Sequence, residues 1–387
     1  MKRVLFVSNG NGEAAIADRI AAELCAIMPD AALDHLALVG EPISDSMREV
    51  GPRRTMPSGG LIAMGNVGNL MRDLRAGLLP LVASQRRFLR RVRGSYDVAV
   101  AVGDVYALAM TLRARSSTVF VGTAKSVSVA RYGAFEERML ARAKACFVRD
   151  EATAQALRGH GLSVEPSANV IVDLFAPNDD PAVEAAITGF ATMLALFPGS
   201  RVSAYDDAAF LLEVLREIAG SRPEVGAVLS IARGLDAGRF AAGAQRAGWE
   251  VSRESGDCIP FSLCLYGRTV VRAWTGNPAS LLKGATLVLG QAGTANEGAA
   301  AAGVPVVAFA RDRGTKAPWY RRRQQGLLGE ALAVVAGSAG EGARGVCDIL
   351  DDPARRRQMS ETGRARLGAG GAARRIADRI ASLAKQS

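Results

Sequence analysis

The sequence predicts an α/β protein of two doubly wound, Rossmann-like domains. Short apolar runs alternate with stretches of helical period along most of the 387 residues, the signature of parallel sheets covered by helices. The length suits two such domains, each able to bury its own core. A break at Pro177-Asn178-Asp179-Asp180-Pro181 separates two series of similar size and style. The expected divisions are an N-terminal domain at 1–175, a linker at 176–189, a C-terminal domain at 190–365 and a closing helix at 366–387.

Residues 4–7 form the first strand, closed by the turn Ser8-Asn9-Gly10-Asn11-Gly12-Glu13. Ile16, Ile20, Leu24 and Ile27 follow at helical spacing. Strands at 97–102 and 118–121 end in Gly103-Asp104 and Gly122-Thr123. A fourth at 145–148 precedes Asp150, a residue suited to cap a helix over 151–157. The second series opens with a strand at 193–197 running into Pro198-Gly199-Ser200-Arg201. Phe210, Leu211, Val214, Leu215 and Ile218 mark its first helix, and strands follow at 227–231, 269–273, 286–289 and 304–309. Residues 374–385 form an amphipathic helix with Ile376, Ile380 and Leu383 on its apolar side. No low-complexity tract or short-period repeat interrupts the series.

Hydrophobic content of 49% with 22% charged residues excludes a disordered chain. The net charge of +10, from 48 Lys and Arg against 38 Asp and Glu, points to acidic partners such as nucleotides or anionic lipid head groups. Aromatic residues at 5% argue against base stacking, and no nucleic-acid motif is present, so nucleic acid is not an expected partner. Five scattered cysteines without a Cys-x-x-Cys pair read as buried free thiols in a reducing compartment. Two histidines, one of them (His160) at an expected helix end, make a zinc site built on His and Cys improbable, and no metal or cofactor is expected. The chain opens directly into a strand without the apolar core of a signal peptide, and no charge-free apolar stretch is long enough to span a bilayer. A cytoplasmic protein with peripheral membrane contact is the expectation.

The turns after the strands are where chemistry is expected. In Leu289-Gly290-Gln291-Ala292-Gly293-Thr294-Ala295-Asn296-Glu297, small residues join a strand to a helix. Such a turn lets backbone approach a ligand closely and offers helix-start amides to phosphate; it also serves plain helix–sheet packing. Glu297 is placed to accept hydrogen bonds from sugar hydroxyls. In Pro198-Gly199-Ser200-Arg201, Ser200 is a cap for the next helix and Arg201 either a fork for a diphosphate or half of an ion pair. Gly10 and Gly12 permit close ligand approach, whereas Glu13 also suits a bare helix N-terminus. Asp104 is either a general base or a helix cap. Segment 72–93 mixes Arg72, Arg75, Arg86, Arg87, Arg90, Arg91 and Arg93 with apolar residues, which fits either a surface lying on anionic lipid or a packed helix with a solvated basic face. Arg321-Arg322-Arg323 near Lys316 either face a diphosphate or are solvated.

Leu196-Phe197-Pro198-Gly199-Ser200-Arg201, Gly293-Thr294-Ala295-Asn296-Glu297 and Gly303-Val304-Pro305-Val306 together resemble the bacterial lipid-A-disaccharide synthase family. The N-terminal Leu5-Phe6-Val7-Ser8-Asn9-Gly10-Asn11-Gly12-Glu13, the run Phe120-Val121-Gly122-Thr123-Ala124-Lys125-Ser126 and Phe147-Val148-Arg149-Asp150-Glu151-Ala152-Thr153 look closer to its divergent, synthase-related branch. The resemblance implies a GT-B fold, with two Rossmann-like domains facing a central cleft. It implies inverting, metal-independent transfer of a hexose or N-acetylhexosamine from a UDP-sugar to a lipid at the inner, cytoplasmic membrane, and members often dimerise through the C-terminal part. Carried onto this sequence, Ser200, Arg201, Gly293, Thr294, Asn296 and Glu297 bind the nucleotide-sugar, with Glu297 on the ribose. Gly10, Asn11, Gly12 and Glu13 lie near phosphate or acceptor, and Asp104 is the catalytic acid/base. Two departures touch the acceptor: Ala168-Asn169-Val170 replaces the family's Gly-Asn-Pro, with Asp173 after it, and the N-terminal loop is not that of true lipid-A synthases. The rival readings are a nucleotide-sugar 2-epimerase and a non-catalytic protein that binds nucleotide-sugar or lipid.

Overall fold

The computed structural model describes residues 1–39, 46–54, 56, 71, 73–256, 258–311 and 318–386. The chain divides into two compact units, Met1–Leu174 with Ala369–Ser387, and Phe175–Gly368.

The first unit holds six parallel strands: β1 (Arg3–Ser8), β2 (Ala32–Ala37), β3 (Arg48–Glu49), β4 (Val98–Gly103), β5 (Ser117–Gly122) and β6 (Ala145–Val148). Their order is β3-β2-β1-β4-β5-β6. All six residues of β4 are buried, as expected for a parallel strand covered on both faces. From β1 the chain builds outward first through β2 and then, from β4, in the other direction. The gap between the ends of β1 and β4 is therefore the topological switch point, where ligands bind in such sheets.

β2 was not expected from the sequence because Asp34 and His35 interrupt its apolar run. Both are buried, at 1% and 2% exposure. Burial alone would raise the Asp34 pKa, but hydrogen bonds from Arg48 (2.9 Å), the Tyr96 hydroxyl (2.7 Å) and Arg3 (3.3 Å) hold the carboxyl below its usual value. His35 Nε2 lies 2.8 Å from Ser8 Oγ, and burial pushes its pKa from 6.5 down to about 4. In the window between those values the unfolded chain takes up a proton that the folded chain refuses, so stability is lost as the pH falls through it. Urea unfolding should show wild type losing up to about 3 kcal/mol more than His35→Gln between pH 6.5 and 4. Parallel curves for the two proteins would refute this.

The second unit holds β7 (Thr192–Phe197), β8 (Val225–Ser230), β9 (Glu250–Gly256), β10 (Ile259–Leu265), β11 (Arg268–Trp274), β12 (Leu287–Gly290), β13 (Val306–Ala310) and β14 (Leu332–Ala336). The order is β14-β13-β12-β7-β8-β11-β10-β9. β10 runs antiparallel to both β9 and β11, and the other pairings are parallel. The edge strand β9 reads Glu-Val-Ser-Arg-Glu-Ser-Gly, too polar to register as an apolar run. Here the switch point lies between β7 and β12.

Within 176–189, expected to be a linker, residues Pro181–Ile187 form a helix capped by Asp180, with proline in the first turn. The closing helix, Ala372–Gln386, belongs to the first unit and packs on helix Asn11–Ile27. Asp173 fastens its start, accepting from the backbone N–H of Gly371 and of Ala373.

The segment expected to meet either lipid or core resolves into helix Leu78–Arg91, whose Leu78, Leu81, Gln85 and Leu89 are buried. Arg86, Arg87, Arg90 and Arg91 are exposed, so the apolar stripe is core and the basic face is solvated; Arg72 lies outside the described residues. Leu79 is an exception, an apolar side chain at 68% exposure. All five cysteines are free, but only Cys146 is fully buried. Among the described residues no helix is long and apolar enough to cross a membrane, and no cluster of His, Cys, Asp and Glu could hold a metal ion.

Candidate functional site

At the switch point of the second sheet, Phe197 of β7 pairs with Gly290 of β12. The Phe197 carbonyl accepts from the amides of Gln291 (2.8 Å) and Ala292 (3.1 Å), so the turn after β7 and the turn after β12 lie side by side. Pro198 is buried and Gly199 has φ of +119°, a conformation closed to a side chain without strain. Ser200 does not cap the next helix as expected: that helix is Ala204–Ser221, its N-cap position is Ser203, and Ser200 is exposed. The turn runs longer than the sequence suggested, because Ala204 N–H closes back on the Arg201 carbonyl at 2.7 Å. Arg201 is half-buried.

Helix Thr294–Ala301 begins at Gly293, which has no side chain to cap the first-turn amides. Those amides are what an anion at a helix start would use. Gly293, Thr294 and Glu297 are half-buried, with Glu297 in the first turn. Asn296 behaves differently: it is wholly buried, and its Nδ2 donates to the Gly290 carbonyl at 3.1 Å. A Cβ on Gly290 would collide with the Asn296 amide. Asn296 therefore fastens the helix to the end of β12, and the glycine is needed for that close approach.

Helix Pro318–Leu328 carries the Arg321-Arg322-Arg323 run and brings in Tyr320 and Gln324, which the sequence did not place here. A Cβ on Gly293 would stand 2.6 Å from the Tyr320 hydroxyl. Tyr320 has its pKa raised, first by burial and then by the nearby Glu297, while Arg321, Arg201 and Arg323 act in the opposite direction. It thus stays a hydroxyl donor at neutral pH amid three guanidinium groups. The three consecutive arginines separate in fate: Arg321 is buried at 3% exposure, Arg322 is exposed and Arg323 is half-buried. Lys316 lies outside the described residues. Burial lowers the Arg321 pKa, and Arg321 Nη1 donates to Gln324 Oε1 at 2.9 Å. Nearby, Asp207 pairs with Arg311, whose guanidinium lies 5.0 Å from the Phe210 ring centre. No local pattern could have revealed Tyr320 or Gln324, which reach Gly293 from about 30 residues downstream.

The first unit has its own rim at the β1/β4 switch point. Helix Asn11–Ile27 starts directly after Gly10, so Asn11, Gly12 and Glu13 form its first turn and not an open loop. The Glu13 side chain folds back over the turn: a Cβ on Gly10 would collide with its carboxylate, and one on Gly103 would lie 3.3 Å from its Cγ. The helix start therefore already carries an anion of its own, which leaves less room for a phosphate there than the glycines suggested. Gly103 has φ of +134°. Asp104 caps helix Val105–Thr111, and its Oδ1 accepts from Ala107 N–H (3.0 Å) and from Asn9 Nδ2 (2.8 Å). Both expected roles thus remain compatible, since those bonds use one carboxylate oxygen. Thr123 N–H donates to the Gly103 carbonyl at 3.0 Å, which joins this rim to a small recess lined by Ile16, Gly122, Thr123, Arg149 and Asn169.

No protein-family model matches the chain, and no curated protein does. Solved structures do. The S. aureus MnaA–UDP structure aligns with 100% of this chain and 98% of its own, at 13% identity and a TM-score of 0.62. A Neisseria meningitidis UDP-GlcNAc 2-epimerase bound to UDP-GlcNAc aligns over 98% and 100%, at 13% identity and TM-score 0.58. The Medicago truncatula UGT71G1 complex with UDP-glucose aligns over 99% and 98%, at 10% identity and TM-score 0.59. At these identities the likeness establishes the fold, which is GT-B with two Rossmann-like sheets. The likeness to lipid-A-disaccharide synthases rests on the sequence motifs alone.

Proposed function

We propose that the chain is an enzyme acting on a UDP-sugar, and that its chemistry breaks the bond between the anomeric carbon and the diphosphate. One observation carries this reading. The uncapped start of helix Thr294–Ala301 sits at the switch point of the second sheet, with Glu297 in its first turn and the charges of Arg201, Arg321 and Arg323 acting on the adjacent Tyr320. Helix-start amides and the guanidinium groups of Arg201 and Arg323 would hold the diphosphate and stabilise the charge that grows as it leaves, with the buried Arg321 behind them. Glu297 would take the ribose hydroxyls. The full-length likeness to proteins solved with UDP or a UDP-sugar supports the same assignment.

For the reaction itself, 2-epimerisation of a nucleotide-sugar is the reading the structural likenesses favour, because several epimerases align with nearly all of the chain. Inversion at C2 needs a base to remove the C2 proton as the bond from the anomeric carbon to the diphosphate breaks, and a group to return a proton to the other face as that bond re-forms, and it needs no acceptor. Transfer to an acceptor hydroxyl is the second reading. It is supported by Asp104, whose cap bonds leave one carboxylate oxygen to accept a proton, and by the exposed face of Arg86, Arg87, Arg90 and Arg91, which suits an anionic lipid acceptor. With the apolar stripe of that helix inside the fold, such an attraction would be mainly electrostatic and weakened by salt.

One experiment separates these readings. The protein is incubated with UDP-GlcNAc alone and with a total lipid extract, and the products are followed by NMR and mass spectrometry. A new UDP-hexosamine without lipid establishes epimerisation. UDP and a glycolipid formed only with lipid establish transfer. Binding without either product would make the chain a binding protein, and no calorimetric signal with any UDP-sugar would remove the common premise.

A further inference from the structure

Gln324 is 4% exposed, and its Nε2 donates to the carbonyls of Ala292 (3.1 Å) and Gly293 (3.4 Å). These are the last two carbonyls before helix Thr294–Ala301. In a planar trans peptide the carbonyl and the following N–H point in opposite directions. Drawing the Ala292 carbonyl toward Gln324 therefore directs the Gly293 N–H away from it. The Gly293 carbonyl, which also accepts from the Glu297 N–H at 3.2 Å, is held by Gln324 and the helix together so that the Thr294 N–H points outward. Those are amides that a diphosphate at the helix start would use.

An amide side chain can perform this task in only one orientation. Arg321 decides which: its Nη1 donates to Gln324 Oε1, so oxygen faces the guanidinium and the NH2 group faces the turn. Arg321 Nε has no hydrogen-bond partner, and the side chain is 3% exposed. Burying a cation with an unused donor is costly, and a neutral side chain would fill this position more cheaply if packing were the only demand.

We infer that Arg321 and Gln324 are positioning residues for the nucleotide-sugar site: Arg321 orients the Gln324 amide, and Gln324 aims the Gly293 and Thr294 amides at the diphosphate. The inference rests on the proposed UDP site and gives two of its buried residues a positioning role, in which neither touches the ligand.

The test compares UDP with uridine, which lacks the phosphates. Gln324→Glu keeps an acceptor for Arg321 but replaces the NH2 donor with a carboxylate facing two carbonyls. It should weaken UDP binding about tenfold or more while uridine binding, read by ligand NMR titration, stays within about twofold. Arg321→Met, of similar length and without the guanidinium, should do the same in milder form, and Arg321→Lys should recover part of the loss. A merely structural role would shift both ligands together. Equal changes for UDP and uridine, or none in a variant whose melting temperature shows it is folded, would overturn the inference. Should Gln324→Glu fail to fold, the Arg321 pair decides. If wild type binds neither ligand, it is the UDP-sugar reading that fails; if wild type binds UDP and the variants match it, only this inference does.

Discussion

Asp104→Asn is expected to lower kcat by about 100- to 10,000-fold, the usual contribution of a general base, while UDP affinity and melting temperature stay near those of wild type. The substitution separates the two roles open to this residue. Asparagine caps helices about as well as aspartate, and its Oδ1 can still accept from Ala107 N–H and Asn9 Nδ2, the two bonds seen in the structure. What it loses is the charge and the ability to take a proton. Asp104→Ala, by contrast, should also cost about 1 kcal/mol through the missing cap. Either reaction under consideration needs a base, so the expectation holds for epimerisation and for transfer. Steady-state kinetics with the substrate that the product assay identifies provide the measurement. Asp104→Asn with wild-type kcat would reduce Asp104 to a helix cap and send the search for the base to other rim groups, Glu13 first.

Glu297→Ala is expected to raise the Kd for UDP by about 10- to 100-fold, or roughly 1.4–2.8 kcal/mol, the range for hydrogen bonds to a charged group. The carboxylate is half-buried in the first turn of helix Thr294–Ala301, within reach of a ligand at Gly293. If it holds the ribose, uridine should lose affinity in parallel with UDP. That pattern differs from Gln324→Glu, which spares uridine. Some loss of stability, about 0.3–1 kcal/mol, should accompany the change because an acid leaves a helix N-terminus. Calorimetry with both ligands on the same variant decides the matter, and unchanged UDP affinity would remove Glu297 from the site.

Much of the scaffold was legible because its strands are apolar runs bounded by glycine and proline. β1, β4, β5, β6, β7 and β12 all fall within a residue or two of their expected ends. Strands whose stability depends on distant partners were not legible. β2 hides a buried Asp34 whose partners include Arg3 and Tyr96, far away in sequence, and β9 is a polar edge held by β10. Among the proposed site residues, the positions of Gly293, Glu297 and Asp104 at strand–helix turns were recognisable. The burial of Asn296, the exposure of Ser200 and the folding of Glu13 over Gly10 and Gly103 were not, because each depends on contacts that spacing does not encode.

Local sequence alone determined that this is a doubly wound α/β protein and that its glycine-rich turns follow strands, since apolar periodicity and turn residues act over a few positions. Strand order, set by hydrogen bonds between segments up to about a hundred residues apart, decided which turns are neighbours: Phe197 beside Gly290 in one unit, Asn9 beside Asp104 in the other. Tertiary packing alone placed Tyr320 against Gly293 and Gln324 beside the carbonyls of Ala292 and Gly293. The physical reason is that a short-range pattern selects an element's type, whereas its neighbours are selected by burial and pairing summed over the whole chain.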